Sequence, residues 1–209
     1  MYIGTQGKFP ADHDLENLAQ LGVNHIDTTP DQPLNEWTTD LLVSMRERCA
    51  QYGIELEMTH IIGSGNALND EVTGAIFLRR SDERDRQIDL VCDVIRMAGA
   101  AGLRGLNYNI TNLGHLRTER SLGRGGASLS TFDYQELLEK GTEREPEETR
   151  FSEFQDGPAD EDEMFERIDY WLQKVIPVAE EYKVQMACHP SDPGIGYGVT
   201  YRGMARVMG

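Results

Sequence analysis

Apolar residues recur at helical spacing in four stretches, and each stretch leads, usually across a glycine, into a short apolar or alternating run. Leu15, Leu18 and Leu21 mark the first, Gly22 closes it, and Val23-Asn24-His25-Ile26-Asp27-Thr28 follows. In the second, Trp37, Leu41, Met45, Cys49 and Tyr52 share one face, and Gly53 opens into Ile54-Glu55-Leu56-Glu57-Met58-Thr59-His60, which alternates with period two. The third carries Ile88, Val91, Cys92 and Ile95, stops at Gly102 and continues as Leu103 through Thr111. The fourth starts from Asp160 as N-cap, runs through Phe165, Ile168, Leu172, Val175 and Ala179, and passes via Lys183 into Val184 through His189. Each junction reads as helix into strand. With a short opening strand around Tyr2 to Thr5, the pattern gives about five strands separated by four helices, which forces parallel pairing and an α/β class.

An open doubly wound sheet and a closed barrel both satisfy this order. No dinucleotide-type glycine fingerprint follows the first strand, which favours a (β/α) TIM-type barrel. Such a barrel needs about eight strand-helix units and about 250 residues. The 209 residues stop shortly after the fifth strand. The expectation is one partial barrel domain over residues 1–209, with about five of the eight units present. The stretch 112–160 breaks the rhythm and reads as a long insertion after strand four, where loops reach the face on which barrel active sites are built. Its acidic second half, Glu139 to Asp162, reads as a solvated segment.

Charge narrows the partners. Twenty Lys and Arg against thirty-six Asp and Glu leave a net charge of −16, which repels nucleic-acid phosphates and anionic headgroups, so neither nucleic acid nor a membrane is expected as a partner. No apolar run approaches the roughly 20 residues of a spanning helix. The start lacks the basic and apolar regions of a signal peptide, and the reading is a soluble, cytoplasmic protein. The three cysteines, Cys49, Cys92 and Cys188, show no CxxC spacing, and form neither a disulfide framework nor a structural zinc site. Cys49 and Cys92 fall on apolar faces as core residues.

His189 ends the fifth strand, where alternation with the apolar set Val184, Met186 and Cys188 turns it toward the mouth of a barrel. His60 ends the third strand but alternates in phase with Ile54, Leu56 and Met58, which favours a structural role; Glu55 and Glu57 lie on the opposite face. Asn107-Tyr108-Asn109 places two amides on strand four, and His115, Arg117 and Arg124 follow in the insertion. Basic side chains in an acidic chain suggest an anionic ligand, and the fork of Arg117 fits a carboxylate. Gly63-Ser64-Gly65 and Gly123-Arg124-Gly125-Gly126 match no phosphate-binding loop.

The block Trp171-Leu172-Gln173-Lys174-Val175-Ile176-Pro177-Val178-Ala179-Glu180-Glu181, continuing through Met186-Ala187-Cys188-His189-Pro190-Ser191-Asp192-Pro193, resembles the mannonate dehydratase family, and so does Leu106-Asn107-Tyr108-Asn109 with Arg117-Thr118 downstream. The resemblance is colinear from strand two onward. It implies a barrel of the xylose isomerase-like group, represented here by its N-terminal portion, and dehydration of D-mannonate to 2-keto-3-deoxy-D-gluconate. It also implies a divalent metal, usually Mn²⁺ with Fe²⁺ as another option, held by two His, one Cys and one Asp. His189 matches the first of those His. The other ligands belong to later strands, and Cys188 does not stand in for the Cys. Tyr108 and His60 become candidates for catalysis, and Asn109, Arg117 and His115 for binding a sugar acid. The family's aromatic-acidic phrase before Arg-Thr is replaced by Asn112-Leu113-Gly114-His115-Leu116, which bears on the substrate more than on the fold. A sugar isomerase or epimerase of the same superfamily and an inactive truncated barrel are the alternatives. Open edges at the first and fifth strands point to a homo-oligomer.

Overall fold

The computed structural model describes residues 2–63, 67–142 and 153–207. Five parallel strands form one sheet in sequential order: β1 (Gly4–Lys8), β2 (His25–Thr29), β3 (Glu55–Ile62), β4 (Gly105–Asn109) and β7 (Gln185–His189). The helices α1 (Asp12–Gln20), α2 (Thr39–Gln51), α3 (Asp82–Ala100) and α5 (Glu161–Tyr182) provide the crossovers. Strand order without reversal is the order of a barrel wall rather than of a doubly wound sheet.

Local chemistry sets where the helices begin and end. Thr38, Ser81 and Asp160 accept hydrogen bonds from the backbone N–H groups of Leu41, Arg84 and Glu163, satisfying donors that the first turn leaves open. Gly53 and Gly102 leave α2 and α3 at φ of 69° and 74°, a left-handed conformation that favours glycine. At the fourth junction Lys183 takes that conformation, at φ 57°. The first strand lies later than the Tyr2 to Thr5 span expected from the sequence, and Trp37 precedes α2 rather than riding on its face; its indole N–H donates to the Gln32 carbonyl at 2.9 Å.

The core fills the space between the sheet and the helices. Leu56 and Leu106 from the strands, Ile88 and Ile95 from α3, and Trp171 and Val175 from α5 are all at most 2% exposed, and this apolar burial is the main force holding the layers together. Phe165, expected on the apolar face of α5, points outward at 47% exposure, and Met164 and Arg167 are buried instead. Arg167 is neutralised where it enters the core: its guanidinium reaches Asp156 at 2.9 Å, Glu163, and the Phe77 carbonyl at 3.1 Å.

The insertion has more structure than its composition suggested. An antiparallel hairpin joins β5 (Thr118–Leu122) to β6 (Ser128–Thr131), and α4 (Tyr134–Lys140) follows, capped by Asp133. The run Gly123-Arg124-Gly125-Gly126 is the hairpin's turn, with Gly125 and Gly126 at positive φ. Most of both strands is exposed, so neither has the apolar alternation by which a strand is recognised in sequence. Residues 143–152 of the acidic run, together with Ser64 and Gly65, lie outside the described residues. No helix among the described residues is long and apolar enough to cross a membrane.

Candidate active site at the carboxyl ends of the strands

Side chains on the face of the sheet turned away from the helices are mostly polar. Asp27, His60, Asn107, Asn109 and His189 lie there, in register across four strands: Asn107 pairs with His60 and Ala187, and Asn109 with His189. Asn107 donates its amide to Asp27, whose carboxyl burial raises above its ordinary value while that hydrogen bond opposes the shift. One level closer to the carboxyl ends, the Asn109 amide donates to His60 Nε2 at 2.6 Å and to the Ile62 carbonyl at 3.2 Å.

His60 reaches this face through an irregularity that strict alternation does not anticipate. The β2–β3 register runs Ile26 to Leu56 and then Asp27 to Met58, so β3 carries one extra residue. Glu57 and Met58 consequently turn to the same side, Glu57 meeting His25 and Met58 lying against Gly105. Beyond the bulge Thr59 is buried and His60 is displaced to the polar face. The phase that put His60 with Ile54 and Leu56 holds only as far as Leu56.

Tyr108 lies on the helix side of β4, 5% exposed, with its ring centroid 4.3 Å from that of Trp171. Burial pushes its phenol well above the ordinary range, with the neighbouring Cys188 adding to the shift. The structure does not bring Tyr108 to the polar face.

At the carboxyl ends, the His115 and His189 rings stack with centroids 5.4 Å apart. His189 Nδ1 lies 2.9 Å from the Pro190 carbonyl; donation to that oxygen leaves Nε2 as the basic nitrogen. Arg117 is held rather than free: Nε donates to Ser130 Oγ at 3.1 Å, Nη1 to the carbonyls of Leu116 and Asp192, and Nη2 to the Asp192 carboxylate at 2.5 Å. Arg206, which no sequence signal marked, is 6% exposed and donates to the carbonyls of Pro193 and Asp192 and to Thr111 Oγ1. Burial lowers its pKa to about 10. Two guanidinium groups therefore fasten the Ser191 to Pro193 turn that follows His189.

Beside this mouth, a cavity of about 410 Å³ is lined by Thr29, Trp37, His60, Asp70 and Thr73 among others. Its place at the carboxyl ends of β2 and β3 is where barrel enzymes bind small molecules.

The sequence model of the family described as D-mannonate dehydratase (UxuA) matches residues 7–209. The chain belongs to the mannonate dehydratase family. It is 27% identical over 216 residues to the mannonate dehydratase of Thermotoga neapolitana, an alignment covering 88% of this chain and 57% of that protein. The crystal structure of mannonate dehydratase from Streptococcus suis serotype 2 superposes with a TM-score of 0.74 at 21% identity, over 99% of this chain and 57% of that one. A D-psicose 3-epimerase from Clostridium cellulolyticum H10 reaches 0.51 at 13% identity, covering 89% of this chain and 51% of that one. These likenesses show the fold, that of a (β/α) barrel. The chain spans about half the length of the relatives it matches.

Among the described residues, the group of three or more potential ligands close enough to share a metal ion is His25, Glu55 and Glu57. It could hold one, but it sits at the amino ends of β2 and β3, away from the mouth. Both carboxylates already have partners there, His25 Nδ1 lying 2.8 Å from Glu57 and Arg104 Nε 2.9 Å from Glu55. The chemistry of His189 fits a metal ligand for a different reason: a ring that donates one N–H to a backbone carbonyl offers its other nitrogen in a fixed orientation.

Two expected results follow from this geometry. Burial pushes the His60 imidazole below its ordinary value of 6.5, its hydrogen bond to Ile62 opposes that, and the charge of His189 adds to it. The unfolded chain therefore takes up this proton first as pH falls, and His60 should cost stability from the ordinary value downward until the folded ring also protonates. A histidine-resolved NMR titration should place His60 below a free imidazole; titration at or above the ordinary value would contradict the buried Asn109 contact. For Asp192 the Arg117 hydrogen bond comes first and holds the carboxyl below its usual range, with burial opposing. Its contribution is present above the ordinary carboxylate pKa and is lost as pH falls through the lowered folded value. Asp192 is 43% exposed, so Asp192→Asn should cost no more than about 1 kcal/mol at neutral pH. Melts of the two proteins should converge in acid, and a constant gap between pH 7 and pH 3 would exclude the ion pair as its source.

Proposed function

We propose that this chain supplies part of the active site of a metal-dependent sugar-acid dehydratase, acting on D-mannonate to give 2-keto-3-deoxy-D-gluconate and water. The observation that carries the reading is the family match together with His189 at the strand ends, beside a polar face and a cavity of suitable size. His189 would hold a divalent ion, Mn²⁺ first among the candidates, through Nε2. When bound, that ion supplies Lewis acidity toward the carboxylate and α-hydroxyl of the substrate.

The chain's own residues have separable tasks. Burial favours the neutral His60 ring, and Asn109 donates to its Nε2, so the ring presents no charge to the cavity it lines. His115 packs against His189 and limits its ring motion. Arg117 and Arg206 hold the turn after His189. For Arg117 to clamp the substrate carboxylate, that carboxylate must take the place now held by Asp192. Tyr108 contributes through the core, not through proton transfer.

The reading is tested by incubating D-mannonate and Mn²⁺ with a protein that continues this chain through the remaining strands of the barrel, and assaying 2-keto acid. Formation of the keto acid supports it. Epimerisation of a ketohexose without dehydration would move the chain to the isomerase side of the superfamily.

A further inference from the structure

The outer helical layer holds a second cleft, of about 280 Å³, between the segment preceding α3 and the first turns of α5. Its walls carry four arginines, Arg79, Arg80, Arg84 and Arg167, in a chain whose net charge is −16. None of them belongs to the mouth. Two are occupied. Arg167 is bound to Asp156 and Glu163, and Arg79 donates to the Pro158 carbonyl at 3.3 Å with Glu163 3.8 Å from its Nε.

The other two donate no guanidinium hydrogen bond among the described residues, although Arg84 has an ion pair with Asp85. Arg84 is 6% exposed, and among the described residues its guanidinium donates no hydrogen bond; its Nε is buried without a hydrogen-bond acceptor. The guanidinium carbon lies 4.2 Å from the centre of the Tyr170 ring, which shields the charge without accepting its protons. Asp85 is 3.7 Å from Nε, beyond hydrogen-bond distance, and accepts instead from the Tyr170 hydroxyl at 2.8 Å. A buried guanidinium with an unmet donor is unfavourable unless an acceptor is delivered to it. Arg80 stands exposed on the same cleft and has no ion pair among the described residues. Glu163 is engaged by Arg167, so the negative charges opposing an anion are Glu166, exposed on the lining, and Asp85 beside the Arg84 Nε.

We propose that this cleft is a binding site for a small oxyanion, a phosphate or carboxylate group, received by the buried fork of Arg84 and by Arg80 against the wall of Tyr170. The geometry suits Arg rather than Lys at position 84, because the planar fork can stack on the ring and still present parallel donors to two oxygens. Glu166 sets the affinity by repulsion. The site is independent of the reaction at the mouth.

The test is calorimetric titration of the 209-residue chain with inorganic phosphate and, separately, with malonate, at ionic strength held constant with chloride. Saturable one-site binding is expected. Arg84→Met should weaken it roughly tenfold or more, as loss of a charge-assisted pair of hydrogen bonds does. Arg80→Ala should weaken it several-fold, and Glu166→Gln should tighten it. Phosphate binding without malonate binding assigns a phosphate-bearing ligand, and the reverse assigns a carboxylate; either supports the site. Absence of saturable binding of both anions overturns it, as does an Arg84→Met protein that binds like the parent. Should Arg84→Met fail to fold, unchanged affinity in both Arg80→Ala and Glu166→Gln overturns it equally.

Discussion

Trp171→Ala is expected to cost about 3–5 kcal/mol, a large fraction of the roughly 5–15 kcal/mol that holds a domain folded. Trp171 is fully buried, and it sits where three elements meet: its α5 backbone, the Phe77 ring at 5.5 Å and the Tyr108 ring of β4 at 4.3 Å. Removing it opens a cavity between the sheet and the helical layer that the neighbouring rings cannot close without tilting β4, and β4 carries Asn107 and Asn109 on its other face. The effect should therefore spread to the polar face, and the His60 resonance should move as well as the melting temperature. Trp171→Phe should cost much less. The indole N–H is buried with no partner among the described residues, so losing it removes an unmet donor while most of the apolar contact stays. Denaturant titration of the three proteins checks the order. An alanine variant within about 1 kcal/mol of the parent would mean that the ring cluster does not hold the sheet to α5.

How much of this could be read from sequence depended on the range of the interactions involved. The junctions at Gly53 and Gly102 were legible, because a left-handed residue at a helix end is a local backbone requirement. The start of α5 at Asp160 was legible for a similar reason, a side chain capping its own first turn. His189 was placed on the polar face by simple alternation because β7 is regular along its paired length. His60 was not, because one extra residue in β3 inverts the alternation, and nothing in Glu57-Met58-Thr59 announces a bulge that arises from pairing with β2. Tyr108 became a candidate through the resemblance of Leu106-Asn107-Tyr108-Asn109 to the family; the alternation that turns the two asparagines to one face sends the phenol to the other. The commitments of Arg117 and Arg206 join segments about 75 and 14 residues from their shared partner Asp192, and such long-range pairings leave no periodicity in the chain. The hairpin at 118–131 was missed because most of its residues are solvent-exposed.

The second large effect concerns His189. On the proposed function, in a protein that continues this chain through the rest of the barrel, His189→Ala should abolish metal-dependent dehydration, since loss of the proposed ligand removes both affinity and the orientation of what is bound. The fold should persist. His189 is exposed, and its ring contacts within the described residues are the Pro190 carbonyl and the His115 ring, so a melting temperature within a few degrees of the parent is expected. At the mouth, the 209-residue chain alone should bind Mn²⁺ weakly, because the single imidazole of His189 is a poor site for an ion that prefers several oxygen-rich ligands.

The most direct test is to measure bound manganese and 2-keto acid formation from D-mannonate side by side in the extended protein and in its His189→Ala variant. The account predicts stoichiometric metal and turnover in the first, and loss of both in a folded second protein. Undiminished metal content and turnover in the His189→Ala variant would contradict it.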